Sequence, residues 1–353
     1  MNSTKQKAIR VLVVEDSPVV AQFLIALLNS DPKIEVVGTA ANGEEALELV
    51  QRTKPDVITM DIHMPRVNGF EATRKIMETC PTPIVVVSGS SSLDEVATNF
   101  QAIEAGALAV VARPNGIGHL NHDRSARELL ETVKLMAEVK VVKRWPRPRT
   151  APKRAPLTEI NRKFPGTIQA VAMGASTGGP LVLQTILSGL PRDFSLPVLI
   201  VQHMTSGFVE GFVEWLTKSS GFPVRIAKDG EPLLSGHAYL APDDFHLGVR
   251  ANCVHLSNLA RENGMRPAVS FLFRSVQGAF GCNAVAVLLT GMGTDGVEEL
   301  KLLKEVGAIT IAQDKESSVI HGMPGQAIKD GAATHVLSPP SIASLLRSSV
   351  PKL

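Results

Sequence analysis

The sequence predicts two α/β domains, each built on a mainly parallel β-sheet. Short apolar runs rich in β-branched residues alternate with longer helical patterns in both halves of the chain. Most of these runs are apolar at every position, which is typical of strands buried on both faces in a parallel sheet covered by helices. A chain of 353 residues with 44% hydrophobic content is also long enough for two domains, each with its own core.

The N-terminal half contains predicted strands at residues 11–14, 57–60, 84–87 and 108–111. Helical patterns between them indicate a doubly wound sheet. In such sheets the functional groups collect beyond the carboxyl ends of the strands. The polar residues at those ends are Glu15, Asp16, Asp61, Ser88 and Arg113.

Glu15, Asp16 and Asp61 would bring three carboxylates together at one edge of this sheet. Like charges at short range raise one another's pKa unless a cation lies among them. A hard divalent ion with oxygen ligands, such as Mg²⁺, suits this position. One acidic pair after a strand often only caps the next helix, but three carboxylates together with the hydroxyl of Ser88 favour a functional pocket.

The predicted boundary between the domains is a long linker. We expect the first domain at residues 9–127, the linker at 128–165 and the second domain at 166–353. Residues 143–156 alternate prolines with basic residues and contain few residues able to build a core, which is typical of an extended, semi-rigid tether. Contact of these basic residues with nucleic acid or acidic lipid is the alternative, but a solvated tether is favoured.

The second half begins a new alternation of strands and helices, with strands predicted at residues 170–173, 198–201, 285–289 and 308–311. A β-rich stretch lies between the helical patterns near residues 207–220 and 268–281. We therefore expect a mainly parallel sheet with a hairpin insertion.

A glycine-rich turn surrounds Ser176. The segment Met-Gly-Ala-Ser-Thr-Gly-Gly at residues 173–179 follows a predicted strand and precedes a helix opened by Pro180. Such a turn exposes the serine hydroxyl near backbone N–H groups at a helix N-terminus, which can stabilise an oxyanion. Glycine-rich turns also bind phosphates, so the motif by itself leaves a hydrolase and a nucleotide site open.

Two further strand ends supply candidates for a base and an acid. His203 follows the strand at 198–201, and Asp295 lies in a tight loop after the strand at 285–289. At one rim of the sheet, His203 would remove the proton of Ser176, and Asp295 would fix the tautomer of His203 and stabilise its cation. Helix capping or turn formation by Asp295 also remains open. The chain order Ser, His, Asp counts against an α/β-hydrolase, where the order is Ser, Asp, His.

The N-terminal half resembles the receiver domains of response regulators over roughly residues 9–125. The resemblance is carried by Val-Glu-Asp-Ser at 14–17, by residues 60–69, by the hydroxyl of Ser88 and by the Arg-Pro pair that begins at Arg113. It implies a flavodoxin-like fold for this domain.

The same resemblance implies roles for the predicted pocket. Asp61 accepts a phosphoryl group from a histidine kinase, and Glu15 and Asp16 hold Mg²⁺ together with Asp61. Ser88 and Arg113 sense the phosphoryl group. Mg²⁺ would screen the charge of both the carboxylate nucleophile and the phosphate.

Two positions depart from the receiver pattern. Arg113 stands where receivers normally have a lysine, and Val110 stands where they usually have an aromatic residue. Arginine and lysine differ in shape, reach and hydration. We therefore expect phosphorylation at Asp61 with a weakened or altered signalling response.

The C-terminal half resembles the chemotaxis protein-glutamate methylesterases of the CheB family over nearly all of residues 168–350. The resemblance is carried, in order, by the segments Gly-Ala-Ser-Thr-Gly-Gly, Gln-His-Met and Leu-Thr-Gly-Met-Gly-Thr-Asp-Gly. It implies an α/β methylesterase domain that removes methyl groups from glutamates of methyl-accepting chemoreceptors, and in many members also deamidates receptor glutamines. No cofactor is implied for hydrolysis.

Carried over to this chain, the resemblance makes Ser176 the nucleophile, His203 the general base and then acid, and Asp295 the residue that orients His203. Backbone donors at Thr177 and Met292 are the expected oxyanion hole. In the family the unphosphorylated receiver blocks the catalytic cleft, and phosphorylation relieves the block.

Other classes of function fit the sequence less well. A non-catalytic response regulator that binds receptors or a kinase is the main alternative, but the complete Ser, His, Asp set argues against it. A DNA-binding output is disfavoured because the C-terminal half contains no short helical module with a basic face, and the formal net charge is only +2. No stretch approaches the roughly 20 apolar residues of a membrane span. With three scattered cysteines, we expect a cytoplasmic protein without membrane insertion.

Overall fold

The computed structural model describes residues 8–89, 100–116, 118–120, 122–139, 141 and 168–348. The chain divides into two compact units, residues 1–153 and 154–353. The proline-rich and basic part of the predicted linker, residues 143–156, lies outside the described residues.

The first unit contains a five-stranded parallel sheet in the order β2-β1-β3-β4-β5. Its strands are β1 (Ile9–Val14), β2 (Ile34–Ala40), β3 (Val57–Met60), β4 (Ile84–Ser88) and β5 (Ala109–Ala112). Its helices include α1 (Pro18–Leu28), α2 (Gly43–Thr53), α3 (Gly69–Thr79) and α4 (His122–Ala137). The predicted doubly wound sheet is confirmed.

The burial of each strand explains which ones the sequence predicts. Every residue of β3 and β4 is buried, and β1 is buried from Val11 onward. In contrast, β2 is an edge strand in which only Ile34 and Ala40 are buried. Because β2 lacks the continuous apolar run of a central strand, it was not predicted.

Helix α4 continues beyond residue 127, the predicted end of the first domain. It buries Leu129, Val133 and Met136 at the spacing of one helical face, and it packs against β3, β4 and β5. Its Lys134 also pairs with Asp31 at 2.7 Å. We therefore propose that the first domain ends near residue 137 and that the linker begins there.

The second unit contains a seven-stranded parallel sheet in the order β14-β13-β12-β6-β7-β9-β8. Its strands are β6 (Ala170–Ala175), β7 (Val198–Gln202), β8 (Val224–Ile226), β9 (Ala238–Leu240), β12 (Ala284–Leu288), β13 (Ile309–Gln313) and β14 (His335–Leu337). The antiparallel pair β10 (His246–Arg250) and β11 (Cys253–Ser257) is the predicted hairpin insertion.

The helices of the second unit cover this sheet. They are α5 (Gly179–Ser188), α6 (Val209–Ser220), α7 (Val269–Phe280), α8 (Val297–Glu305), α9 (Met323–Lys329) and α10 (Pro339–Ser348). Helix α7 contacts both the hairpin and β6. A Cβ atom on Gly174 would lie 2.3 Å from Cγ1 of Val269, so only glycine in β6 lets α7 approach this closely.

The strand order determines where the functional site forms. Strand β6 lies at the centre of the sheet, with β12 on one side and β7 on the other, and all residues of the three strands are buried. Their carboxyl ends therefore lie side by side. Within the described residues, we find no helix with the length and apolar character needed to cross a bilayer.

Candidate active site and carboxylate pocket

Ser176 lies directly after the central strand β6 and shortly before helix α5. Its backbone N–H donates to the carbonyl oxygen of Thr290 at 3.0 Å, which ties the serine turn to the end of β12. Gly178, with φ of 81°, precedes α5 in the left-handed conformation that favours glycine. The predicted strand, turn and helix are present, and Ser176 is partly buried at the sheet edge.

Gly291 permits a second close approach to the serine. A Cβ atom on Gly291 would lie 2.5 Å from Cβ of Ser176 and 2.5 Å from Sδ of Met323. A larger residue would therefore push the loop after β12 away from the serine turn. Met292, the next residue in this loop, has an exposed side chain.

His203 is placed by the neighbouring strand β7. Its backbone N–H donates to Ala175 at 2.9 Å. Its side chain and that of Asp295 are only 8% and 6% exposed, and Nε2 of His203 lies 3.0 Å from Oδ2 of Asp295. Nδ1 of His203 is buried and has no hydrogen-bond partner among the described residues. Because Nε2–H donates to the carboxylate, Nδ1 is the nitrogen with a lone pair free to take a proton.

Asp295 is held by the N-terminus of helix α7. Its Oδ2 accepts from the N–H of Val269 at 2.7 Å, and its Oδ1 accepts from the N–H of Ser270 at 3.1 Å. Nδ2 of Asn263 also donates to Oδ1, at 3.2 Å. The carboxylate of Asp295 therefore caps helix α7 and contacts His203 at the same time. Helix capping and contact with the histidine, the two roles that the sequence leaves open for Asp295, occur together.

The hydrogen bonds keep Asp295 ionised in spite of its burial. Burial alone would raise its pKa. The hydrogen bond and charge of His203, with the donors Ser270 and Val269, outweigh burial and lower the pKa of Asp295 to about 2. A fixed negative charge next to His203 favours the protonated imidazole that a general base becomes.

Several residues that hold the site in place were not identified from the sequence. Nε2 of Gln202 donates to the carbonyl oxygens of Ser176 and His203, at 2.8 Å each. Oγ1 of Thr290 donates at 2.9 Å to the carbonyl oxygen of the residue that follows the serine. Both are polar residues that directly follow predicted strands, and this position is the feature by which the sequence could have identified them. Asn263 has φ of 51° and forms a two-residue turn with Gly264, closed by backbone hydrogen bonds between Glu262 and Met265. The Asn-Gly pair indicates such a turn, but it does not indicate the contact with Asp295.

The carboxylates of Glu15, Asp16 and Asp61 converge in the first unit. One ligand oxygen from each lies within 4.8 Å of the others. Oε2 of Glu15 is buried without a hydrogen-bond partner in the part of the chain that is described. Burial, and then the charge of Asp61, raises the pKa of Glu15 to about 7. Because a cation would relieve this repulsion and all three donors are hard oxygens, the residues fit Mg²⁺.

Ser88 and Arg113 lie at the ends of the neighbouring strands β4 and β5. Ser88 is 4% exposed, and the backbone N–H of Arg113 donates to its carbonyl oxygen at 2.7 Å. Burial raises the pKa of both Glu15 and Asp61, and the charge of Arg113 acts in the opposite direction. The guanidinium is therefore close enough to act on the carboxylate pocket. Val110 is partly buried in β5.

Two family models match the chain. The CheB methylesterase model matches residues 171–346, and the response regulator receiver domain model matches residues 11–123. The two matches fall in different compact units.

Named proteins and a solved structure resemble the chain as well. The protein-glutamate methylesterase/protein-glutamine glutaminase 4 of Geobacter metallireducens is 60% identical over 96% of this chain and 98% of that protein. A protein-glutamate methylesterase/protein-glutamine glutaminase of Nitrosospira multiformis is 59% identical over 97% of both chains. The crystal structure of the Thermotoga maritima CheB methylesterase catalytic domain has a TM-score of 0.50 and 38% identity, covering 52% of this chain and 100% of that one.

Proposed function

Because the chain belongs to the CheB methylesterase family and carries a response regulator receiver domain, we propose that it hydrolyses glutamate methyl esters on methyl-accepting chemoreceptors. We extend the proposal to the deamidation of receptor glutamines. Both reactions serve adaptation in chemosensory signalling. The observation that carries the proposal is the buried pair His203 and Asp295, joined at 3.0 Å, at the same sheet edge as Ser176.

The first half of the reaction forms an acyl-enzyme. Oγ of Ser176 attacks the ester carbonyl carbon while Nδ1 of His203 takes the hydroxyl proton. His203 becomes positively charged, and the ionised Asp295, accepting from Nε2–H, stabilises this charge. His203 then gives the proton from Nδ1 to the methoxy oxygen, the bond from carbonyl carbon to that oxygen breaks, and methanol leaves.

The oxyanion that forms on the carbonyl oxygen requires backbone donors. The N–H of Ser176 already donates to Thr290, so it does not serve. We assign the role to the backbone N–H groups of Thr177, in the turn before helix α5, and Met292, beside Gly291. Donors fixed in a turn before the carbonyl arrives need no reorganisation when the charge develops.

The second half regenerates the enzyme. A water molecule attacks the acyl carbon, Nδ1 of His203 accepts the water proton, and the glutamate carboxylate leaves as the proton returns to Oγ of Ser176. A glutamine side chain follows the same steps, with ammonia in place of methanol. The difference between the two substrates is confined to the leaving group.

We propose that the receiver controls this activity. Asp61 accepts a phosphoryl group from a histidine kinase, and Glu15, Asp16 and Asp61 hold Mg²⁺. When bound, the ion neutralises charge on the carboxylate and on the phosphoryl group. Ser88 and Arg113 donate hydrogen bonds to the phosphoryl oxygens. Phosphorylation then raises the rate of ester hydrolysis.

We place the enzyme in the cytoplasm. Cys80, Cys253 and Cys282 are all free thiols, which suits a reducing compartment. Its expected partners are chemoreceptors as substrate and a histidine kinase as phosphodonor. We propose neither nucleic-acid binding nor membrane insertion.

The proposed activity is tested by incubating the full-length chain with methylated chemoreceptor membranes and measuring methanol release. We expect release from the wild type and none above background from Ser176→Ala. Ser188→Ala is a matched control, because this hydroxyl is exposed on α5 and donates to the carbonyl oxygen of Thr185 at 3.1 Å, one turn back along the same helix. Methanol release that survives Ser176→Ala would remove Ser176 from the role of nucleophile, and no release above background from the wild type would support the non-catalytic alternative.

A further inference from the structure

Gly89 and Arg113 lie in very close contact in the first unit. They follow the neighbouring parallel strands β4 and β5, in which Ser88 and Ala112 are register partners. A Cβ atom on Gly89 would lie 2.3 Å from Nη2 of Arg113, 2.5 Å from Cζ and 3.0 Å from Nε. The guanidinium group therefore occupies the space in which a side chain at position 89 would begin.

Space, and not backbone conformation, accounts for glycine at this position. The φ angle of Gly89 lies outside the positive range that favours glycine, so residues with a side chain adopt this φ angle readily. Gly116 provides the contrast, because a Cβ atom there would have no heavy atom of the described residues within 4 Å, apart from its own chain neighbours. Even alanine at position 89 would displace the guanidinium, and since Arg113 is a long, flexible side chain, the cost would fall on its position and hardly on the fold.

The position of Arg113 matters for the carboxylate pocket. Its charge acts on Glu15 and Asp61, and its Nε is buried without a hydrogen-bond partner in the described part of the chain. A guanidinium is planar, wider than an ammonium group and able to donate two parallel hydrogen bonds to phosphate. It therefore needs more room beside the pocket than lysine does.

We propose that Gly89 is a positioning residue for Arg113: the missing side chain makes room for the guanidinium to act as the phosphoryl-binding cation of the receiver. The two residues form a matched pair in which glycine is required because the cation is arginine. This inference rests on the proposed phosphorylation of Asp61. With a lysine at position 113, a side chain at position 89 is tolerated.

The test is a cycle of four full-length proteins: wild type, Gly89→Ala, Arg113→Lys and the double variant. Phosphorylation at Asp61 is measured with acetyl phosphate and Mg²⁺, using Asp61→Asn as the blank. The effects of substitutions at two contacting residues are not additive. Gly89→Ala should therefore slow phosphorylation about fivefold or more when residue 113 is arginine, and less than about twofold when it is lysine. Gly116→Ala, the matched control, should match the wild type.

A second readout follows the guanidinium directly, through the NMR signal of Nε–H in protein labelled with ¹⁵N at arginine side chains. Gly89→Ala should move the Arg113 signal, identified by its loss in Arg113→Lys, and Gly116→Ala should leave it in place. An equal effect of Gly89→Ala in both backgrounds, or an unmoved signal, would overturn the pairing. A wild type that is not phosphorylated, with the signal still moved by Gly89→Ala, would overturn the receiver function while upholding the pairing.

Discussion

Replacement of Asp295 by asparagine tests how the site is held together. Oδ2 accepts from His203 and from the N–H of Val269, while Oδ1 accepts from the N–H of Ser270 and from Asn263. An amide keeps only one of the two acceptors. In either orientation, its NH₂ group faces a backbone N–H that cannot change its role.

The expected loss of stability follows from these contacts. A buried donor left unpaired costs about 1–3 kcal/mol. Independently, lowering the pKa of Asp295 from 3.8 to about 2 corresponds to roughly 2 kcal/mol. The cost of the unpaired donor and the free energy from the pKa shift both include the hydrogen bond from the N–H of Val269, so they cannot simply be added. We expect a total loss of about 2–4 kcal/mol in the free energy of unfolding.

The pH dependence of this contribution has a definite sign. The pKa of Asp295 is depressed in the folded state, so its stabilisation is present in full above the unfolded value of 3.8 and is lost as pH falls toward about 2. Asp295→Asn should remove this part of the acid dependence. Above pH 4, the wild type should lose no activity through protonation of Asp295.

The loss of activity should be larger than the loss of stability suggests. With NH₂ facing His203, the imidazole must carry its proton on Nδ1, which can then no longer accept the proton of Ser176. A wrong tautomer of this kind lowers kcat by about 10³- to 10⁴-fold.

The assay is methanol release from methylated receptors at a temperature where urea titration shows both proteins to be folded. Asp330→Asn is the matched control, because it makes the same change at an exposed carboxylate that, among the described residues, accepts side-chain hydrogen bonds from Gln326 alone. Retention of more than about a tenth of the wild-type kcat by Asp295→Asn would refute the proposed role of the His203 and Asp295 pair.

Three further predictions concern parts of the enzyme outside this pair. Asn263→Ala should lower kcat about tenfold with little change in KM, because the carboxylate loses a donor that fixes its orientation; unchanged kcat, or a change in KM alone, would contradict this. Gly291→Ala should lower kcat more than about tenfold by pushing the loop away from Ser176, as measured by initial rates and checked by circular dichroism. A fragment that begins near residue 160 should hydrolyse methyl esters faster than the intact unphosphorylated chain, and equal rates would remove the case for inhibition by the receiver.

Much of the fold could be predicted because the central strands are buried on both faces. Strands β3 and β4 in the first sheet are apolar at nearly every position, and β6 and β7 in the second sheet have the same character. The edge strand β2 was missed because its exposed positions, Glu35 and Thr39, interrupt the apolar run. Periodicity alone therefore finds the centre of a parallel sheet better than its edges.

The main residues of the candidate site could be predicted from the sequence for a related reason. Ser176, His203 and Asp295 follow central strands, and carboxyl ends of parallel strands meet at one edge whatever the details of the helices. The contact between Asn263 and Asp295 depends on where the turn at residues 262–265 lies relative to Asp295, and no spacing rule gives that position. Which ring nitrogen of His203 contacts Asp295 depends on the side from which the carboxylate approaches the ring. Helix α7 sets that side, because the N–H of Val269 holds the carboxylate.

Covalent labelling of Ser176 by a fluorophosphonate tests most directly the claim that His203 activates this serine as its general base. The full-length protein is treated with the probe, digested and analysed by mass spectrometry over time. We predict a single adduct on Ser176, slowed about 10²-fold or more by His203→Gln, because the general base is then lost. An adduct at another residue, or equal labelling rates with and without His203, would contradict the account.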